Sequence, residues 1–393
     1  MLKTDKTGTK TNRIRDIYNL CIFGIMFLFY ALTFMVPKFY GLTEDYVGVF
    51  VFALLGLLFL GNVNPIKAIK DKDIDFIITA VVVIMTAVNL VIVNSGFGAF
   101  FVAADFAVIF YLSDKLSFKK WQVYTIGGFY LALMLYWFFY AYGWMFADYA
   151  TYAMNTNTAA TFTIFSLLCL IVVCELLYKK HEAFGILLVI ILIKGIQLSF
   201  YHRARGAFIM LIVYMLLRFA VPKKWFASKK FFAALMFFAT LGSLAFVAFY
   251  VLLGTTGVNF RLPFFYKNMF SGREAIWLEF WNLFIHKPLT GIGTNVTITS
   301  FFEFNVHNAL YDILVIHGIV VFVGTLWLIY RRMQKAYGNM RRGALPFAAV
   351  CAIIAVFIES FFDVDLIWAN YSMNLLFLLS CAFYKSEAAD KNL

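Results

Sequence analysis

The chain has 393 residues, of which 63% are hydrophobic, 20% aromatic and only 14% charged, with a mean hydropathy of +0.84. A water-soluble domain draws roughly a quarter of its residues from the charged set, so this composition excludes a solvated globular surface and makes lipid the solvent. The formal charge of +12 argues no nucleic-acid partner, because it falls in short clusters between apolar runs, as membrane topology requires.

In chain order, Lys3, Lys6, Lys10, Arg13 and Arg15 precede an apolar run at 17–36, which is long enough to span a bilayer and does not read as a cleavable signal. Further runs follow at 46–62, 76–94, 96–113, 121–143, 159–178, 183–200, 206–221, 231–253, 308–330, 345–361 and 366–384. The sequence therefore predicts an all-α, polytopic integral membrane protein with about 12 transmembrane helices, one membrane domain over residues 1–393. The five cysteines, Cys21, Cys169, Cys174, Cys351 and Cys381, all lie in apolar runs, which supports neither a disulfide framework nor a thiolate metal site.

Alternate connections carry the basic residues: Lys67, Lys70 and Lys72; Lys115, Lys119 and Lys120; Lys179 and Lys180; Lys223, Lys224, Lys229 and Lys230; and Arg331, Arg332, Lys335, Arg341 and Arg342. By the positive-inside rule these are cytoplasmic, as is the N-terminus. The intervening connections carry Glu44, Asp45, Asp148, Asp363 and Asp365 instead. Two outer connections break the pattern. The turn from Ser199 to Gly206 holds His202, Arg203 and Arg205, and the long segment 254–306 holds Arg261, Lys267, Arg273 and Lys287. Cations placed against the topology rule need another reason, and anion binding supplies one.

The outer segment 254–306 is far longer than an ordinary connection between helices. Ser271 and Glu274 have capping-box spacing, and Ile276, Trp277, Phe280, Trp281 and Phe284 then recur at helical spacing. The spacing predicts an amphipathic helix suited to the outer headgroup layer. It stops near His286 and Pro288, and the chain turns through Gly291 and Gly293, which permit backbone conformations closed to other residues. Asn305, His307 and Asn308 lead into the tenth apolar run.

Arg205 opens the eighth run and Arg273 sits in the first turn of the loop helix, where free amides and the helix dipole already favour an anion. Guanidinium adds a fork matched to phosphate oxygens. Two such groups at an outer cavity suit a lipid-linked diphosphate, whose charge grows as a glycosidic bond to it breaks. His307 is placed to take the proton of an attacking hydroxyl as general base. The plainer alternatives are arginines that anchor helix ends in headgroup phosphates and an interfacial histidine that caps a helix.

At these residues the chain resembles the O-antigen ligase and polymerase family of bacterial envelope glycan assembly. The likeness rests on Arg205, Gly206 and Ala207 opening an apolar helix, with Ala204 where the family usually has Ser; on Ser271, Gly272 and Arg273 followed by Trp277, Pro288, Gly291 and Gly293; and on His307, Asn308 and Gly318. The resemblance implies a metal-independent glycosyltransferase without cofactor in the bacterial cytoplasmic (inner) membrane. Its donor is a polyprenyl-diphosphate-linked glycan and its acceptor a sugar hydroxyl, with membrane lipid, flippase and chain-length regulator proteins as further partners. It implies catalytic roles for His307, Arg273 and Arg205. Arg203, His202, Asn308, Gly291 and Gly293 are the accompanying substrate-binding candidates.

A polymerase is the favoured member, with an O-antigen ligase that passes the glycan to a lipid core as the alternative. Two other readings stay open. A metal-dependent glycosyltransferase would use Glu44 and Asp45, or Asp363 and Asp365, as carboxylate ligands. A transporter or flippase for lipid-linked oligosaccharides would use Lys194, Asp105 and Glu359, which are ionisable residues within apolar runs.

Overall fold

The computed structural model describes residues 6–36, 39, 41, 43, 46–116, 118–141, 156–177, 182–201, 204–257, 272–300 and 305–385. Among them the regular structure is helical throughout: α1 Lys6–Met35, α2 Val47–Asn62, α3 Pro65–Lys70, α4 Ile74–Ile92, α5 Phe97–Leu112, α6 Lys120–Tyr136, α7 Thr156–Cys174, α8 Glu182–Tyr201 and α9 Arg205–Met215. They continue as α10 Lys223–Phe226, α11 Lys229–Gly254, α12 Arg273–Phe284, α13 Ala309–Met340, α14 Ala344–Glu359 and α15 Ser372–Ala382. Short π-helical turns at Trp137–Ala141 and Leu216–Ala220 extend α6 and α9. Each apolar run of the sequence falls on one of these helices, because only intrahelical bonding satisfies a backbone surrounded by lipid.

Seven helical stretches among the described residues are long and apolar enough to cross a membrane: Arg13–Met35, Ile74–Ile92, Lys120–Phe139, Asn157–Cys174, Ala183–Phe200, Lys229–Gly254 and Ala309–Met340. Helices α2, α5 and α14 are apolar but shorter. This is a multi-pass membrane protein.

Helices α14 and α15 form the centre. Along α14 the small side chains of Ala348, Ala349, Cys351, Ala352 and Ala355 are fully buried, which lets α7, α9, α11, α13 and α15 all pack on it. A polar staple ties α15 to its neighbours: the Tyr130 hydroxyl donates to Asn374 Oδ1 at 2.7 Å, Asn374 Nδ2 donates to the Tyr30 hydroxyl at 2.9 Å, and Tyr30 meets Ser166 Oγ at 2.8 Å. Four helices, α1, α6, α7 and α15, are fixed in register by that one side chain.

At one end of the bundle Arg332, fully buried, holds both Asp75 at 3.4 Å and Asp114. Arg331 reaches Asp75 at 3.2 Å, while Lys335 reaches Asp75 at 3.3 Å and Asp114 at 3.1 Å. The start of α4 and the end of α5 are thereby clamped to the far half of α13.

Toward the opposite end α13 is broken. Gly318 adopts φ +84° and ψ 171° inside it, which ends the helical bonding of the carbonyls before it. The loop after α12 answers them: Ile292 N–H donates to Val315 O at 2.9 Å, Gly293 N–H to Ile316 O at 3.1 Å, and Asn89 Nδ2 of α4 to His317 O at 3.1 Å. In return Ile319 N–H donates to Pro288 O at 2.9 Å. The two backbones touch closely, since a Cβ on Gly318 would lie 2.3 Å from Leu289 O and one on Gly291 2.3 Å from Ile316 O.

Gly318→Ala is therefore expected to lower the apparent unfolding temperature in detergent by roughly 5 °C or more and to speed proteolysis of the segment 288–300. Gly128→Ala, whose added methyl meets nothing within 4 Å, is the silent control.

Candidate functional site

At the end of the bundle opposite the Arg332 clamp lies a partly open cleft of about 380 Å³, lined by Asn157 and Thr161 of α7, Ala204, Arg205, Gly206 and Ala207 at the start of α9, Arg273 of α12, Glu359 of α14, and Phe362 and Asp363 of the following turn. The sequence places Arg205 and Arg273 at two helix starts some seventy residues apart, and the fold brings them to one cavity, close enough for their charges to repel.

Ala204, extended at φ −89° and ψ 98°, precedes the first turn of α9 and offers no side-chain oxygen to it, and Arg205, Gly206 and Ala207 of that turn line the cleft. Gly206 lies close against α14: a Cβ there would stand 2.6 Å from Glu359 Oε1, so a larger residue would displace that carboxylate. Arg273 is the first residue of α12, preceded by Gly272 in the left-handed conformation at φ +90°. Gly272 is the residue before the first helical turn, and Ser271, the other half of the capping-box spacing, lies outside the described residues; the Glu274 side chain packs on Gly254, and its Oε2 is buried without a hydrogen bond among the described residues.

Helix α12 buries Ile276, Trp277, Phe280 and Phe284 against α11 and α13. Its apolar face is covered by protein: Trp277 stacks edge-on with Tyr250 at 5.1 Å, its indole N–H donates to Val306 O at 2.6 Å, and its carbonyl accepts the Tyr311 hydroxyl at 2.8 Å. The helical spacing identifies an apolar face but not what covers it. On the outer face the Glu279 carboxylate accepts Thr299 N–H at 2.8 Å, Thr299 Oγ1–H at 2.9 Å and Ser300 N–H at 2.9 Å. Partial burial works against its ionisation, yet these hydrogen bonds outweigh it and bring the carboxyl down to about 2.

His307 follows, two residues before the first residue of α13, with φ +53°, a left-handed conformation that a non-glycine residue adopts at a cost. Its N–H is held by Asn305 Oδ1 at 2.9 Å. Its Nδ1 stands 3.5 Å from Asp363 Oδ1, while Arg273 Nη2 stands 3.9 Å from Asp363 Oδ2. Asp363 therefore joins His307, at the rim, to Arg273, in the cleft.

The carboxyls here are driven apart. Burial would raise Asp363, but the hydrogen bond with His307 and the charge of Arg273 hold it below its ordinary value. Asp365, two residues on, is pushed well above its ordinary value by burial and by the charge of Asp363, which hydrogen bonds with Thr161 and Glu359 do not offset. Neighbouring carboxyls are thus driven in opposite directions, a division also met at sites that move protons.

The remaining sequence candidates are placed elsewhere or not described. Asn308 is fully buried and caps α13: its Oδ1 accepts from Tyr311 N–H and Ser243 Oγ–H, both at 2.9 Å, and its Nδ2 donates to Phe361 O at 3.1 Å. Gly291 and Gly293 form the backbone clasp on α13 and do not line the cleft. His202, Arg203, Arg261, Lys267 and Ser271 lie outside the described residues, as do Glu44 and Asp45. Among the described residues no group of three or more His, Cys, Asp or Glu is arranged around a metal position. Lys194, Asp105 and Glu359 sit on three different helices, and only Glu359 reaches the cleft. No protein-family model matches the sequence, and no curated protein is similar to it.

Because Glu279 is depressed on folding, its contribution is fully present above the ordinary glutamate value of 4.5 and is lost as pH falls toward about 2. Glu279→Gln is expected to lower the unfolding temperature by roughly 1–3 °C at pH 7, and the gap to wild type should close progressively below pH 4.5.

Proposed function

We propose that this protein is a glycan polymerase of a bacterial cytoplasmic membrane. It would transfer a chain from a polyprenyl-diphosphate donor to a sugar hydroxyl at the outer face, in the manner of the family it resembles. The arrangement is about 12 crossings with the N-terminus and the Arg332 clamp on the cytoplasmic side, and segment 254–306 outside. The observation that carries the reading is the convergence of Arg205, Arg273 and the first turn of α9 on one cleft, with His307 3.5 Å from the Asp363 carboxylate that lines it.

In this mechanism the diphosphate lies across the first turn of α9 between the two guanidinium groups. As the sugar C1–O bond lengthens, negative charge collects on the leaving diphosphate, and groups already aimed at it stabilise that charge without reorganising. His307 takes the proton of the acceptor hydroxyl, whose oxygen forms the new bond to C1, and later releases it to water. The bilayer face of the cleft suits a donor whose polyprenyl tail stays in lipid.

Purified wild type, His307→Ala and Arg273→Ala should be assayed for glycan extension from a lipid-diphosphate repeat unit in detergent, with a chelator present. Wild type is expected to extend the chain, and each folded variant to lose roughly 100-fold or more. Extension only after a lipid-core acceptor is added would make the protein a ligase, and full activity in His307→Ala would remove the base mechanism.

A further inference from the structure

Asp363 stands between two groups that the proposed reaction uses differently. Its Oδ1 faces His307 Nδ1 at 3.5 Å and its Oδ2 faces Arg273 Nη2 at 3.9 Å. Both separations exceed those of a tight charge-assisted contact, which fall near 2.7–2.9 Å. The carboxylate is divided between two partners and fully engages neither. It also occupies the face of Arg273 that a ligand phosphate would claim, since both residues line the same cleft.

We propose that Asp363 is a positioning residue that makes binding of the donor diphosphate the event that readies the base, a step that rests on the function proposed above. With the cleft empty, Asp363 holds the Arg273 cation in place of a ligand. A diphosphate carries more charge and more acceptor oxygens than one carboxylate, so it displaces Asp363 from Arg273. The released carboxylate closes on His307. An Nδ1–H bonded to Asp363 fixes the ring orientation and leaves Nε2 to accept the hydroxyl proton, and the carboxylate stabilises the imidazolium that results. No proton leaves Asp363 in this scheme; the proton passes from the acceptor oxygen to Nε2 and then to water.

The surroundings fit this role. Asp363 lies in the turn after α14, where Val364 N–H donates to Asp363 Oδ1 at 2.9 Å and anchors that oxygen on the His307 side. The charge facing it from α12 is Arg273, that from the α13 start is His307, and the nearby carboxyls are Glu359 and Asp365. Burial and the charge of Asp363 push Asp365 toward its protonated form.

Competition and activation give opposite signs in one variant. Asp363→Asn removes the competitor for Arg273 while losing the orienting charge at His307. Binding of a short-chain polyprenyl diphosphate to purified protein in detergent should tighten roughly two- to five-fold, and turnover with the lipid-diphosphate repeat unit should fall roughly 10- to 1000-fold. In an Arg273→Ala background the tightening should disappear. A misfolded variant could not bind more tightly, so the binding arm also reports folding. The inference is overturned if Asp363→Asn binds no more tightly than wild type, if the tightening persists without Arg273, or if turnover is unchanged. Wild type that binds no diphosphate would remove the proposed function and this inference together, whereas wild type that binds and transfers normally while Asp363→Asn behaves like it would remove this inference alone.

Discussion

The break in α13 is the constraint on which the site depends. A helix interrupted inside a membrane protein leaves carbonyls that lipid cannot satisfy, at a cost of several kcal/mol for each group left unmet. Gly318 creates that demand, and the chain from Pro288 to Gly293, together with Asn89, meets it. The loop cannot drift without reopening those bonds, so the return path from α12 is fixed, and with it Val306, which accepts from Trp277, and His307 beside it. The placement of His307 thus follows from backbone bonding several residues away, at two glycines whose side-chain hydrogens are all the space allows.

Two charged assemblies sit at opposite ends of the bundle and differ in kind. Around Arg332 the cations and anions are matched at short range, with Asp75 and Asp114 each held by more than one cation. A buried network of that sort fixes register. Around the cleft two guanidiniums repel one another and their carboxylate is held at long range by two partners.

Much of the fold was legible because hydropathy alone reports where helices run, and each apolar run of the sequence falls on one. Arg205 and Arg273 were legible as a pair because both open helices and both sit where topology disfavours basic residues. The break at Gly318 was hidden, since a single residue with positive φ inside a 308–330 apolar run leaves the hydropathy unchanged. Gly291 and Gly293 looked like ligand-approach glycines, and their backbone does come close to a partner, but the partner is α13. Asp363 was legible as an acid of an outer turn, a common place for one, or as a carboxylate ligand beside Asp365; its distance to His307 and Arg273 sets it apart from Asp365.

The complete burial of α14 bears on the order of assembly. A chain is made from its N-terminus onward, and α14 and α15 come after every helix they support. Until they insert, α7, α9, α11 and the far half of α13 have no central surface to pack on, and lipid must occupy the place they will take. The cleft, whose walls include Glu359 and Asp363, closes only when this late hairpin threads into a ring of waiting helices and expels that lipid. A chain that lacks this hairpin therefore lacks those walls of the cleft.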